Sequence, residues 1–383
     1  MSQALRASGR GLLGLLATGF LLVVIVRKLL DRSYYRGPTT GHFDGQRFAN
    51  PDRNGSSSRG PAGQPPLGLL VRYLVGNDGR PQWPKRIVVT PAKPADRVTG
   101  ESMVATWVGH ATVLIQTQGL NILTDPVWAR TAGPFGIGPQ RVAEPGIQFA
   151  DLPKIDLVLV SHSHYDHMDV LTLRQLWARD QPLIVTSLGN DVIMTGVQSV
   201  ARDWGERIPV RPGIDVIVSR NHHWSSRWFS DHNRALWSSF VVTLPGGNLF
   251  FAGDTGFGDG KWPAEAASHG QIRLALIPIG AFRFKPGQMT AASHIGPIEA
   301  AEVFDRLGAS SGIGIHWGAF RLSYEAYDTP SKMLAEVMKC WGQTGFVTVS
   351  LGKPVEIASI TLPIEHNSNP LACQRASSVT SLR

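Results

Sequence analysis

Cysteine is nearly absent: Cys340 and Cys373 are the two thiols in 383 residues. This excludes a disulfide-stapled scaffold and a multi-cysteine zinc ribbon or finger, and it leaves the redox compartment open. Charge is sparse as well, at 17% of residues against 43% hydrophobic, so the chain is no disordered tail and can bury a large core. No internal repeat is visible, and the length fits one large or two ordinary domains. Acidic side chains are the scarcer sign, 29 against 37 basic, and the net charge of +8 admits anionic partners such as nucleic acid or a membrane surface.

The basic surplus sits at the ends. Residues 1–36 hold Arg6, Arg10, Arg27, Lys28, Arg32 and Arg36 against Asp31, and 366–383 adds Arg375 and Arg383, so the body is close to neutral. That distribution points to anionic headgroups and away from nucleic acid. Between Arg10 and Arg27 runs GLLGLLATGFLLVVIV, uncharged over 11–26. At about 1.5 Å per residue it reaches about 24 Å, and Leu29, Leu30 and snorkelling basic flanks extend it toward the width of a bilayer core. An uncleaved single-pass anchor within 1–36 is expected, with a cleaved signal peptide or a buried helix as alternatives. No A-x-A-like site follows the run, which argues against cleavage, and positive charge on both flanks leaves the membrane side open.

Residues 37–100 read as an extension and linker, because PDRNGSSSRGPAGQPP at 51–66 has little to bury. The polar stretch 366–383 reads as a flexible tail. Between them, 101–365 alternates β-rich runs with helical stretches. Strands are expected at 104–108, 112–116, 120–124, 156–161, 183–187, 214–218, 239–244, 248–252, 273–279 and 312–316. Helices are expected at 169–179, 297–308 and 330–341, the last two opening near a proline. The mixture implies an α/β architecture with helices outside the sheets.

The most informative stretch is Ser161-His162-Ser163-His164-Tyr165-Asp166-His167, directly after the apolar run IDLVLV. Three imidazoles and a carboxylate in six residues supply nitrogen and oxygen donors suited to zinc, and an extended turn can aim them at two neighbouring points. Further ligand candidates follow later strands: His223 in NHHW, Asp254 in FAGDTG and His316 in GIGIHWG. His222 beside His223 leaves that position ambiguous. The D-T-G at Asp254 also invites an aspartic-protease reading, but such an enzyme needs a second aspartate motif to share a proton, and the sequence has none.

With these residues assembled, the chain resembles the metallo-β-lactamase superfamily, and within it the N-acylphosphatidylethanolamine-hydrolysing phospholipase D family and its bacterial relatives. HFDGQRFAN at 42–50, TWVGHATVLI at 106–115, LTDPVW at 123–128, SHSHYDHMD at 161–169, SHIGPIEA at 293–300 and IHWGAF at 315–320 carry the resemblance across about residues 40–350. It implies an αββα four-layer sandwich with a dinuclear zinc site at one edge. It further implies one zinc on His162, His164 and His223, the other on Asp166, His167 and His316, and Asp254 bridging both. Other divalent metals would also suit such donors.

A water between two zinc ions is acidified toward neutral pH, and the resulting hydroxide suits attack on an anionic phosphodiester. Asp254 and His294 are the expected catalytic residues, His294 contacting the phosphate or leaving group unless it merely caps the following helix. His110 and Asp125 are expected either to orient a ligand or to stabilise a turn, and Trp128, Trp224 and Trp317 either to wall a lipid cleft or to pack in the core. The expected activity is phospholipase D-type cleavage to phosphatidic acid and an N-acylethanolamine. The alternatives are a lactonase or esterase on a soluble substrate, and a non-catalytic membrane-associated metal-binding protein. The expected partners are a phospholipid and a membrane surface, as at a bacterial inner membrane, with a homodimer as an open possibility and no nucleic acid.

Overall fold

The computed structural model describes residues 18–25, 33–51, 79–228, 230–285, 288–289, 292–360 and 369–382. Six strands of the first sheet run in chain order: β1 (Met103–Gly109), β2 (Thr112–Thr117), β3 (Leu120–Thr124), β4 (Leu157–Val160), β5 (Leu183–Ser187) and β6 (Val200–Arg202). The second sheet holds β7 (Arg207–Arg211), β8 (Ile214–Ser219), β9 (Ser239–Val242), β10 (Asn248–Phe251), β11 (Ile272–Pro278), β12 (Ser311–Ile315) and β13 (Phe346–Val347). β14 (Pro354–Glu356) returns to the first sheet beside β1. Each sheet has seven strands, an antiparallel half (β14-β1-β2-β3 and β7-β8-β9-β10) followed by a parallel half (β3-β4-β5-β6 and β10-β11-β12-β13). The two sheets thus repeat one plan without a repeat in sequence, because strand pairing is made by the backbone and asks only for apolar strands.

Period-two alternation explains why the central strands read as continuous apolar runs. In β4, Leu157 and Leu159 enter the core between the sheets, while Val158 and Val160 face the layer that also holds Leu173 and Leu176 of the helix Val170–Asp180. In β11, Leu274 and Leu276 face inward, while Ala275 and Ile277 pack with the helices Pro297–Arg306 and Thr329–Trp341. The result is helix, sheet, sheet, helix, the α/β sandwich expected. Pro297 and Pro330 stand in the first turns of their helices, and Gly342 ends the second with φ 77°, a left-handed position that glycine adopts without strain.

The expected strands and helices all form, and several short elements join them. β6, β13, β14 and the helices Asn190–Ile193 and Trp262–Ala267 are too short to show a period, and Pro209 inside β7 masks that edge strand.

One expectation needs correction. The stretch read as a flexible tail is packed: over 369–382, Cys373 and Val379 are buried in the same core as Pro297–Arg306 and Thr329–Trp341, and Cys373 is disulfide-bonded to Cys340. The anchor expected over 11–26 falls largely outside the described residues. A helix is described over 18–25, with Phe20, Leu21, Leu22, Val23 and Ile25 exposed. No helix among the described residues is long and apolar enough to cross a membrane. The linker stretch 52–78 also lies outside the described residues.

Candidate metal centre

The chemistry-bearing residues leave the carboxyl ends of strands on one edge of the sandwich: His110 after β1, Asp125 after β3, His162 to His167 after β4, His223 after β8, Asp254 after β10 and His316 after β12. Asp169 fixes the exit of the β4 loop. Its Oδ1 accepts from Leu171 N and Thr172 N, capping the helix, and its Oδ2 accepts from Ala129 N at 3.0 Å, tying in the loop after β3. Three site residues are left-handed without being glycine, His110 (φ 56°), Asp125 (φ 28°) and His316 (φ 62°). Such backbone is sparsely populated and is kept where surrounding structure demands it.

Two groups of ligand-type atoms result, and a third, Asp254 with His294 and His316, overlaps them. His162, His164, His223 and Asp254 form the first, with His162 Nε2 and His223 Nε2 lying 2.8 and 3.4 Å from His164 Nδ1. Asp166, His167, His316 and also His110 form the second, with His167 Nε2 and His316 Nε2 3.1 Å apart. Asp254 stands between the groups, its Oδ2 3.0 Å from His167 Nε2 and 3.8 Å from His223 Nε2, its Oδ1 3.0 Å from His316 Nε2. All seven residues expected to hold metal are therefore brought together. His294 joins them from the loop before Pro297–Arg306, its Nδ1 3.9 Å from Asp254 Oδ2 rather than at the helix cap. His222 stays outside these groups and packs against Gly256 and Gly258 instead.

Neighbouring groups set the tautomers. Ser161 Oγ donates to Asp125 Oδ2 at 2.6 Å, so it accepts from His162 Nδ1 at 2.9 Å and leaves the His162 Nε2 lone pair inward. His167 Nδ1 donates to Asp125 Oδ2 at 2.7 Å, and His223 Nδ1 donates to the Ser293 carbonyl at 2.8 Å. His110 Nε2 donates to Asp166 Oδ2 at 3.0 Å. Asp125 thus orients a site residue, as one of its two expected roles had it, and His110 stands beside Asp166. Asn50 was missed: its Oδ1 accepts from His223 N at 3.2 Å and its Nδ2 donates to His223 O at 2.9 Å. The only signal for it was its place in the string at 42–50. Trp317 stacks on Trp107 and Trp128 packs against Phe149, both as core, whereas Trp224 lies 4.2 Å from the His164 ring.

These residues fit bound cations. Inward lone pairs of His162 and His223 converge on one point, Asp254 and Asp166 add carboxylates, and the buried His164 Nε2 has no hydrogen-bond partner. Lone pairs turned toward one another repel unless a proton or a cation lies between them. Without a cation, protons serve. Burial lowers the pKa of His316 and His167, but Asp254 and Asp166 outweigh it, raising His316 to about 9 and His167 well above its ordinary value. Burial and neighbouring imidazoles hold His162 well below its ordinary range; burial likewise depresses His223, more than Asp254 restores it. At pH 7 the metal-free protein therefore carries protons that a cation must displace. Divalent-cation binding is expected to release protons and to weaken as pH falls below about 9. Calorimetric titration in two buffers of different ionisation enthalpy checks this, and equal heats in both would contradict it.

With this geometry in view, the profile of the beta-lactamase superfamily domain matches residues 120–317. The chain belongs to the metallo-β-lactamase superfamily. It is similar to N-acyl-phosphatidylethanolamine-hydrolyzing phospholipase D 1 of Caenorhabditis elegans, 32% identical across 82% of this chain and 97% of that protein. It is also similar to the mitochondrial N-acyl-phosphatidylethanolamine-hydrolyzing phospholipase D of Saccharomyces cerevisiae, 34% identical across 62% of this chain and 52% of that one. Among solved structures, the isothiocyanate hydrolase from Delia radicum gut bacteria shares the fold, with TM-score 0.53 and 17% identity over 67% of this chain and 100% of that one. This superfamily member is a metal-dependent hydrolase.

Proposed function

We propose that the protein is a zinc-dependent phosphodiesterase of phospholipase D type that hydrolyses N-acylphosphatidylethanolamine-like lipids to phosphatidic acid and an N-acylethanolamine. The observation that carries the reading is the site itself, seven ligand-type side chains in two groups around Asp254, in a chain alike along most of its length to a phospholipase D of that name. When bound, two divalent cations supply an acidified water and neutralise charge gathering on a phosphoryl oxygen. Asp254 stands between the two groups, its Oδ2 facing both His167 and His223, and would be shared by the two cations. Asp125, Ser161 and Ser293 hold three imidazoles with their lone pairs inward.

Among the site side chains, Asp166 and His294 are 14% and 10% exposed, whereas Asp254 is 1% exposed. A substrate phosphate would enter on their side. Burial pushes His294 down to about 4, against the pull of Asp254, so it meets the substrate as a neutral hydrogen-bonding group. His294→Ala is expected to lower kcat about a hundredfold while both cations stay bound, as initial rates and metal analysis on one preparation would show. The exposed apolar face at 18–25 and the basic residues around it support a membrane surface as the place where the lipid is met.

The test is to give the purified protein N-acylphosphatidylethanolamine in mixed micelles and follow both products, with and without a chelator. Turnover that survives full removal of metal, or preference for soluble lactones over the phospholipid, would overturn the reading.

A further inference from the structure

Three of the converging histidines spend their outward N–H on a neighbour: His162 on Ser161, His167 on Asp125 and His223 on Ser293. His316 differs. Its Nε2 faces Asp254 and His167, yet its Nδ1 is buried and has no hydrogen-bond partner. A second buried polar atom in the same state is Oε2 of Glu325, a residue only 3% exposed. Both residues line one cavity of about 10 Å³, with Ser323 as a third polar side chain and Trp83, Phe320, Leu322 and Pro330 among its apolar walls.

We propose that Glu325 is a positioning residue for His316, acting through a single water enclosed between them. The volume suits the centre of one water, and a buried water needs two to four polar partners. Here it would accept from His316 Nδ1–H, donate to Glu325 Oε2 and have the Ser323 hydroxyl within the same walls. The carboxylate is itself held in place, because its other oxygen, Oε1, accepts from Ala281 N, a residue left-handed at φ 57°. A carboxylate reached through water would fix the His316 tautomer, keep the Nε2 lone pair on the site and raise its basicity, as direct partners do for His162, His167 and His223. The proposal rests on reading His316 as a metal ligand.

Glu325→Gln keeps an oxygen for Ala281 N and replaces the charged acceptor facing the water with an amide donor. It is expected to bind one of two cations about tenfold more weakly and the other unchanged. The cobalt-substituted variant should show shifted visible bands for one ion. The thermal midpoint of the metal-free variant should match that of the parent, which separates positioning from mere support of the fold. A crystal structure of the unaltered protein at atomic resolution should show the water between His316 Nδ1 and Glu325 Oε2, and this holds even if the variant folds poorly. Parent-like affinities with unshifted bands, or no density for that water, overturn the proposal. If His316→Ala keeps both cations at parent affinity, the ligand reading itself falls and the proposal with it; if it loses one while Glu325→Gln loses none, the positioning role alone fails.

Discussion

Asp254→Asn is expected to reduce hydrolysis about a thousandfold, close to 4 kcal/mol of transition-state stabilisation, and to lower the cations retained per chain. One carboxylate stands against both groups: its Oδ2 lies 3.0 Å from His167 Nε2 and 3.8 Å from His223 Nε2, and its Oδ1 lies 3.0 Å from His316 Nε2. Asparagine keeps the shape and leaves one acceptor, but its amide nitrogen must face one of the two groups as a donor, where a lone pair was needed. Loss of the negative charge also removes much of what raises His167 and His316, so the metal-free variant should bind fewer protons at pH 7 than the parent. Initial rates and metal content measured on the same dialysed preparation check both effects. A variant that holds two cations and works within tenfold of the parent would show that Asp254 is not shared between them.

The centre was legible where its chemistry is local. His162, His164, Asp166 and His167 lie within six residues, and that density has no packing explanation. His223, Asp254 and His316 were legible because each comes after an apolar run, and a strand carries the next residues of the chain to the sheet edge. Helices outside the sheets followed from the same runs, since strands apolar on both faces must be covered on both, whereas the four-layer order came with the family resemblance. The features that escaped reading depend on partners far apart in sequence. Nothing near Asn50 says that it will grip the backbone of His223, 173 residues away, and although His110 was read as a residue that orients a ligand or stabilises a turn, nothing near it names Asp166 as its partner. The stretch after 366 looked mobile because its polar surface is local, whereas its order comes from Cys373, joined to Cys340 at a separation of 33 residues, and from a few apolar side chains dropped into a core built elsewhere.

Asp125→Ala is expected to be the most damaging change that touches no converging atom directly. The carboxylate is fully buried and accepts from Ser161 N at 2.7 Å, Ser161 Oγ at 2.6 Å and His167 Nδ1 at 2.7 Å. Alanine strands these donors at about 1–3 kcal/mol each where no water replaces the lost acceptor, and it must also hold φ 28°, which a non-glycine residue resists. A loss of about 3–5 kcal/mol in unfolding free energy is therefore expected, the scale for breaking a buried charged pair, together with a roughly 10- to 100-fold weaker hold on cations because His167 and His162 lose their orientation. Asp125→Asn separates the two effects. Asparagine tolerates left-handed backbone and keeps one acceptor for Ser161, so stability should fall by less. His167 Nδ1 then meets a neutral amide in place of a carboxylate, so the cation affinity should still drop. Denaturant unfolding of the metal-free proteins and competitive metal titration measure the two quantities apart. Equal loss of stability in both variants, with cation affinity unchanged, would reduce Asp125 to a turn residue and leave the orientation of His167 to the β4 loop alone.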